Sequence, residues 1–147
     1  MSDTAGCHTA SARVDVPADA AFAFLVDPAA LSRWSLGCMD LVAVGNGVYT
    51  GRSLFDGGQG WLSIDSDRTR LLVDYHVGTL DKREPRISAR VVPGPVCGLG
   101  ENACYVTLTA WRPAAMVDDR WQRLCATHDA EIWLIKSQLE SGRAARP

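Results

Sequence analysis

The stretch from Asp118 to Gly142, DDRWQRLCATHDAEIWLIKSQLESG, decides the fold, because it has a helical period and no internal Gly or Pro. Placing successive residues about 100° apart around a helix collects the apolar side chains and one histidine on a single stripe. The stripe consists of Trp121, Cys125, His128, Ile132, Ile135 and Leu139, with Leu124 at its edge. Asp118 or Asp119 is suited to cap the first turn, and Gly142 is suited to end the helix. The stretch therefore predicts an amphipathic helix whose buried face carries His128 near its centre.

Upstream of this helix, the sequence predicts strands and two short helices. Alternation of apolar and polar residues from Ala10 predicts a first strand, and the segment 18–34 predicts two short helices joined at Asp27-Pro28. Six more strands are predicted at 38–44, 48–55, 61–65, 70–77, 86–92 and 103–111. Asn46-Gly47 favours a tight hairpin, since both positions accept a positive φ. The short connections between the six strands require antiparallel neighbours.

This order of elements predicts an α+β fold, in which a curved seven-stranded antiparallel sheet wraps round the long C-terminal helix. Such a shape leaves a cavity between sheet and helix. Strand parity places Tyr75 on the apolar face of the sheet together with other apolar side chains. The register stays open for Tyr49, Trp61 and Arg90, which face the cavity only if the parity shifts by one residue.

The composition is that of an ordinary globular protein of 147 residues, long enough for one domain with a sizeable core. A net charge of −2 provides no electrostatic footprint for nucleic acid. No apolar run reaches the roughly 20 residues of a transmembrane helix, and no signal peptide is apparent, so we expect a cytoplasmic protein. The five cysteines are odd in number and form no CxxC pair, which indicates free thiols and no metal site.

The chain resembles the START-like superfamily, also called the Bet v 1-like or SRPBCC group. RVDVPADAAFAFLVDPAALSRWS at 13–35 and WQRLCATHDAEIWLIKSQLESG at 121–142 carry the resemblance. It implies a helix-grip fold, with two short helices after strand 1, and a group that includes polyketide cyclases and aromatases, lipid and hormone carriers, and chaperone co-factors. We expect a disordered N-terminus at 1–9, a single START-like domain at 10–142 and a flexible tail at 143–147.

A second likeness concerns the piece LSRWSLGCMDLVAVGNGVY at 31–49. It is similar to the branch named after the G-type component of carbon monoxide dehydrogenase, in which a Pro-Gly-Cys element follows the second helix. Leu36 stands in place of that proline here. The iron-sulfur ligands of Rieske-containing relatives have no counterpart in the sequence, because no Cys-x-His plus Cys-x-x-His pair exists.

His128 is the sharpest candidate for a functional residue, since a neutral imidazole can donate, accept or act as a general base in an apolar cavity. Tyr75 needs a partner for its hydroxyl if it is buried. His128 and Tyr75 are therefore the tentative catalytic residues, and Glu131 is placed to orient the imidazole. The alternative is a structural histidine bonded to Tyr75 or to a backbone carbonyl. The expected ligand-binding residues are Trp34, Tyr75, Val106, Leu108, Cys125, His128, Glu131 and Ile132.

The function that we expect is binding of a small hydrophobic molecule, aromatic or polycyclic, with no cofactor and no metal. One open alternative is a cofactor-free enzyme of the polyketide cyclase, aromatase or dehydratase type, in which His128 and Tyr75 move protons. The other is a protein-interaction module, such as a chaperone activator or a metalloenzyme assembly factor. Nucleic acid is not an expected partner, and a homodimer is among the open assemblies.

Overall fold

The structure, a computed structural model, describes residues 6–142. These residues form seven strands, three α-helices and one short 3₁₀ helix. In chain order the elements are β1 (Cys7–Val14), α1 (Ala18–Val26), α2 (Pro28–Trp34), β2 (Met39–Gly45), β3 (Val48–Arg52), β4 (Gln59–Asp67), β5 (Leu72–Gly78), β6 (Arg83–Pro93), the 3₁₀ helix (Gly94–Cys97), β7 (Cys104–Trp111) and α3 (Asp118–Glu140). The predicted α+β fold, with a seven-stranded antiparallel sheet and a long C-terminal helix, is confirmed.

The seven strands form one open antiparallel sheet in the order β1-β7-β6-β5-β4-β3-β2. Strand β1 begins at Cys7, opposite Trp111 of β7, so residues 7–9, which we expected to be disordered, extend the sheet. Hydrogen bonding along β7 accounts for this order, because it adds three ladder positions before Ala10. The remaining residues of the predicted N-terminal segment and the predicted tail, 1–5 and 143–147, lie outside the described residues.

Local sequence signals account for the turns and most of the helix ends. The side chain of Asp27 accepts a hydrogen bond from the amide of Ala29 at 3.0 Å, and Pro28 occupies the first turn of α2. Asn46 and Gly47 have φ values of 55° and 74°, as the predicted hairpin turn requires. Gly142 follows α3 with a φ of 75°, which is the left-handed conformation that ends many helices.

The predicted side-chain cap at the start of α3 is wrong, since the capping position is Val117 and no side chain caps the helix there. Asp118 and Asp119 lie in the first turn instead, where their negative charge favours the positive end of the helix dipole. None of the helices in the described part of the chain is long and apolar enough to cross a membrane.

The buried face of α3 is turned toward α2 relative to the predicted stripe. Thr127, Glu131 and Gln138 are buried, whereas Leu124 and Cys125 are half-buried. Helix α2 and the residues after it supply the reason, because they cover one side of α3. The Nε2 atom of Gln138 donates to the carbonyl of Arg33 at 3.0 Å, and the amide of Leu36 donates to Oε1 of Glu131 at 3.0 Å.

Candidate functional site

A cavity of about 130 Å³ lies between α3, α2 and the inner face of β4–β6. Its apolar wall includes Leu31, Trp34, Leu62, Val77, Ile87 and Leu124. Its polar lining includes Tyr75, Arg86, Arg120, Thr127, His128 and Glu131. The site is thus a mostly apolar chamber with a few polar groups, which is the composition typical of small-molecule sites.

Four of the eight expected ligand-binding residues line this cavity: Trp34, Tyr75, His128 and Glu131. The other four do not line it. Val106, Leu108 and Ile132 are buried in the hydrophobic core, with exposed fractions of 0%, 0% and 3%. Cys125 is half-buried on α3.

The pairing of the strands resolves the register that the sequence left open. Tyr49 lies opposite Leu62, so it shares the inner face and packs against the core without lining the cavity. Trp61 lies opposite Thr50 on the other face, and Arg90 is exposed.

Tyr75 and Trp34 form an aromatic pair in the cavity wall. Their ring centroids are 5.9 Å apart at an interplanar angle of 70°, which is an edge-to-face arrangement. The hydroxyl of Tyr75 donates to the carbonyl of Leu25 at 2.7 Å, and burial raises the pKa of this phenol. The hydroxyl is therefore protonated and engaged with the backbone. Trp34 is only 2% exposed, and its Nε1 atom is buried without a hydrogen-bond partner among residues 6–142.

His128 is 1% exposed, and its Nδ1 atom has no hydrogen-bond partner in the described part of the chain. Burial, aided by the nearby His8, lowers the pKa of His128 to about 4, so the imidazole is neutral at pH 7. The ring of His8 packs edge-on at a centroid distance of 6.4 Å. The hydroxyl of Tyr75 does not bond to His128, because it donates to Leu25 instead. An unbonded Nδ1 atom is thus available to a ligand.

Glu131 is 4% exposed and stands one helical turn from His128 on α3. Burial raises the pKa of its carboxyl to about 8, against the smaller opposite effect of the hydrogen bond from the Leu36 amide. The carboxyl is therefore mostly protonated at pH 7. Its Oε1 atom fixes the chain after α2, so the bond that we expected to orient the imidazole goes to the backbone of Leu36 instead.

A β-bulge aims Arg86 at the cavity. Tyr75 pairs with Ile87, whereas the next residue, His76, pairs with Pro85, so Arg86 is the extra residue on β6. The bulge shifts the alternation of side chains by one, and both Arg86 and Ile87 line the cavity as a result. The Nε atom of Arg86 is buried and has no hydrogen-bond partner among residues 6–142.

A second arginine, Arg120 of α3, lies at the same cavity but has a partner. Its guanidinium lies 3.2 Å from Oδ2 of Asp56 and 5.7 Å from the ring centroid of Phe55. Hydrogen bonds from the Gly58 amide and then from Arg120 lower the pKa of Asp56. The charge of Arg120 is therefore balanced by a carboxylate.

Arg86 and Arg120 are the cavity residues that the sequence did not indicate. For Arg86 one signal exists, since Pro85 cannot donate to a strand ladder and proline within a strand is often found at a bulge. The segment 81–85 resembles a charged turn, which conceals this signal. For Arg120 there is no local signal, because its partner Asp56 stands far away in the sequence.

The chain matches no protein-family model and no curated protein sequence. Many solved structures are nevertheless similar in fold. The solution structure of the Aha1 dimer from Colwellia psychrerythraea has a TM-score of 0.67 and 15% sequence identity, covering 93% of this chain and 98% of that chain. The Zhui aromatase/cyclase from Streptomyces sp. R1128 has a TM-score of 0.59 and 15% identity, covering 95% and 93%.

The di-domain ARO/CYC BexL from the BE-7585A biosynthetic pathway has a TM-score of 0.66 and 16% identity over 93% of this chain. Because these residues cover 47% of BexL, this chain corresponds to about half of that protein. At such identities the likeness concerns the fold, which is of the helix-grip type that the sequence resemblance implies. The same fold serves proteins of different names, so function has to be argued from the site.

Proposed function

We propose that the protein binds a small, mostly apolar molecule in the cavity between α3, α2 and the sheet. The observation that carries this proposal is a set of buried polar atoms without partners in an apolar chamber: Nε1 of Trp34, Nε of Arg86 and Nδ1 of His128. Buried polar atoms in proteins usually have partners, and an unsatisfied one costs about 1–3 kcal/mol. A ligand with one or two polar atoms offsets this cost when it fills the chamber.

The size of the cavity favours a ligand with one ring. A cavity of about 150 Å³ lined by apolar side chains holds benzene, whereas pockets for drug-sized ligands measure about 300–1,000 Å³. The volume of about 130 Å³ in this protein belongs to the first class. Of the two ligand types that we expected, a single aromatic ring therefore fits better than a polycyclic molecule.

The cavity also weighs against a pure interaction module, for which a completely filled core is the simpler design. A homodimer stays a prediction for this chain. The Colwellia Aha1 structure is that of a dimer, which supports a search for one by light scattering.

A cyclase or aromatase activity is the second candidate, and two cavity groups with opposite pKa shifts favour it. Neutral His128 can accept a proton, and protonated Glu131 can donate one, both near pH 7. Two of the similar structures are aromatase/cyclase proteins by name. In this version His128 removes a proton from a carbon between two carbonyl groups, that carbon attacks another carbonyl of the same chain, and Glu131 protonates the oxygen.

The experiment that tests ligand binding is a titration with rings of increasing size. Toluene, naphthalene and anthracene are added to the purified protein, and binding is measured by calorimetry and by native mass spectrometry, which also detects any co-purified molecule. We expect toluene to bind and anthracene to be excluded, because the cavity has room for one ring.

A cavity-filling variant and a matched surface variant make the test specific. Leu124→Trp adds bulk to the cavity wall and is expected to abolish toluene binding. Leu54→Trp makes the same change at a side chain that is 64% exposed and is expected to leave binding unchanged. Circular dichroism checks that both variants fold. If toluene fails to bind to the unmodified protein, or binds equally to both variants, the proposed binding function is wrong.

A further inference from the structure

Arg86 is a cation that no acidic side chain of residues 6–142 neutralises through a salt bridge. The acid that most affects its titration is Glu84, two positions earlier on β6. Glu84 is exposed, and its carboxylate lies 3.6 Å from the ammonium of Lys82. Because an arginine stays charged at pH 7, the cavity wall contains an uncompensated positive charge.

The other ionisable groups of the cavity do not offset this charge. Asp56 balances Arg120, and His128 is neutral at pH 7 because burial lowers its pKa to about 4. Glu131 is mostly protonated, since burial raises the pKa of its carboxyl to about 8. A ligand anion would therefore meet one free cation and no facing carboxylate charge.

The fork of Arg86 is also poised geometrically. A guanidinium has five N–H donors in one plane, a pattern that matches the two oxygens of a carboxylate. The Nε donor of Arg86 is buried and unpartnered, and the bulge holds the side chain at the cavity. Trp34 and Leu62 line the same chamber and provide flat apolar surface for a ring.

We propose that the cavity selects a small aromatic carboxylate, whose carboxylate pairs with the guanidinium of Arg86 and whose ring lies against Trp34 and Leu62. This inference rests on the proposed binding function and names the chemical class of its ligand. A carboxylate on a single ring fits both the free cation and the volume of about 130 Å³.

Benzoate and nitrobenzene form a matched pair of probes for this inference. Both are planar single rings with two oxygens on the substituent, but only benzoate is charged at pH 7. We expect calorimetric titration at fixed ionic strength to give benzoate a Kd lower by about tenfold to a hundredfold, as a charge-assisted pair in a desolvated site provides. This comparison uses the unmodified protein, so it does not depend on the folding of any variant.

Arg86→Met and Arg90→Met then assign the preference to one residue. Met keeps much of the length of the arginine stem and removes the charge. Arg90 lies on the same strand and is exposed, so Arg90→Met changes net charge equally without touching the cavity. We expect Arg86→Met to weaken benzoate binding by about tenfold or more and nitrobenzene binding by less than about twofold, and Arg90→Met to leave both unchanged.

The outcomes separate this inference from the function on which it rests. If nitrobenzene and toluene bind but benzoate is not preferred, the carboxylate assignment is overturned and the binding function stands. If benzoate is preferred but Arg86→Met does not reduce the preference, Arg86 is not the anchor and the inference fails. If none of the three probes binds, the proposed function itself has failed.

Discussion

Replacing Glu131 by glutamine should make the protein more stable at pH 7 and leave its stability unchanged at pH 4. The carboxyl has a pKa of 4.5 ordinarily and of about 8 when buried on α3. Between these values the unfolded chain has released the proton while the folded chain keeps it. The folded state therefore loses stability as pH rises from 4.5 to about 8, because the unfolded state binds fewer protons there.

The magnitude follows from the interval between the ordinary pKa and the working pH. At pH 7 the unfolded carboxyl is about 2.5 pH units above its pKa, and each unit corresponds to about 1.4 kcal/mol, which gives a cost of about 3 kcal/mol. Glutamine cannot ionise, yet its amide oxygen can still accept the hydrogen bond that the Leu36 amide donates at 3.0 Å. The expected gain at pH 7 is thus about 3 kcal/mol, or about 6–12 °C in Tm for a domain of this size.

The assay is urea denaturation followed by tryptophan fluorescence at pH values from 4 to 9, since Trp34 and Trp121 are buried. Glu131→Gln is compared with unmodified protein and with Glu101→Gln, which changes an exposed glutamate. The curves of Glu131→Gln and the unmodified protein should coincide near pH 4 and separate up to pH 8, whereas Glu101→Gln should follow the unmodified protein. Parallel curves for Glu131→Gln and the unmodified protein across this range would refute the reasoning.

Two further variants test single contacts of the cavity. Tyr75→Phe should destabilise the fold by about 1–3 kcal/mol, because the Leu25 carbonyl loses its buried donor, while Tyr105→Phe on the surface should change stability by less than about 0.5 kcal/mol; equal effects in denaturation experiments would contradict this. If the protein is a cyclase, His128→Ala should lower the turnover of a linear β-polyketone thioester by about a hundredfold or more with the fold intact. A variant that loses only stability, or affinity at an unchanged rate, would rule out proton transfer by His128.

The fold was predictable from local chemistry, because helix period, strand alternation and turn residues act over a few positions. The stripe around His128, the Asp27-Pro28 junction and the Asn46-Gly47 hairpin are examples. Trp34, Tyr75, His128 and Glu131 could be placed at one cavity in advance, since each follows from parity or from the helical period.

The rest of the site depends on contacts that the sequence does not encode locally. The bulge at Arg86 shifts the parity of β6, so counting alternate residues assigns this side chain to the wrong face. The burial of Glu131 and Gln138 depends on how α2 docks against α3, which is a matter of packing between distant segments.

The pairing of β1 with β7 has a consequence for the synthesis of the molecule. Strand β1 leaves the ribosome first, but its partner in the sheet, within residues 6–142, is the last strand of the chain. During synthesis nearly the whole domain must emerge before the ladder of β1 can form, and contacts between distant segments also slow folding. A nascent chain that stops before Cys104 presents the unpaired edges of both β1 and β6, and such edges recruit other chains. Completion of β7 thus marks the point in translation after which this protein no longer needs protection from its neighbours.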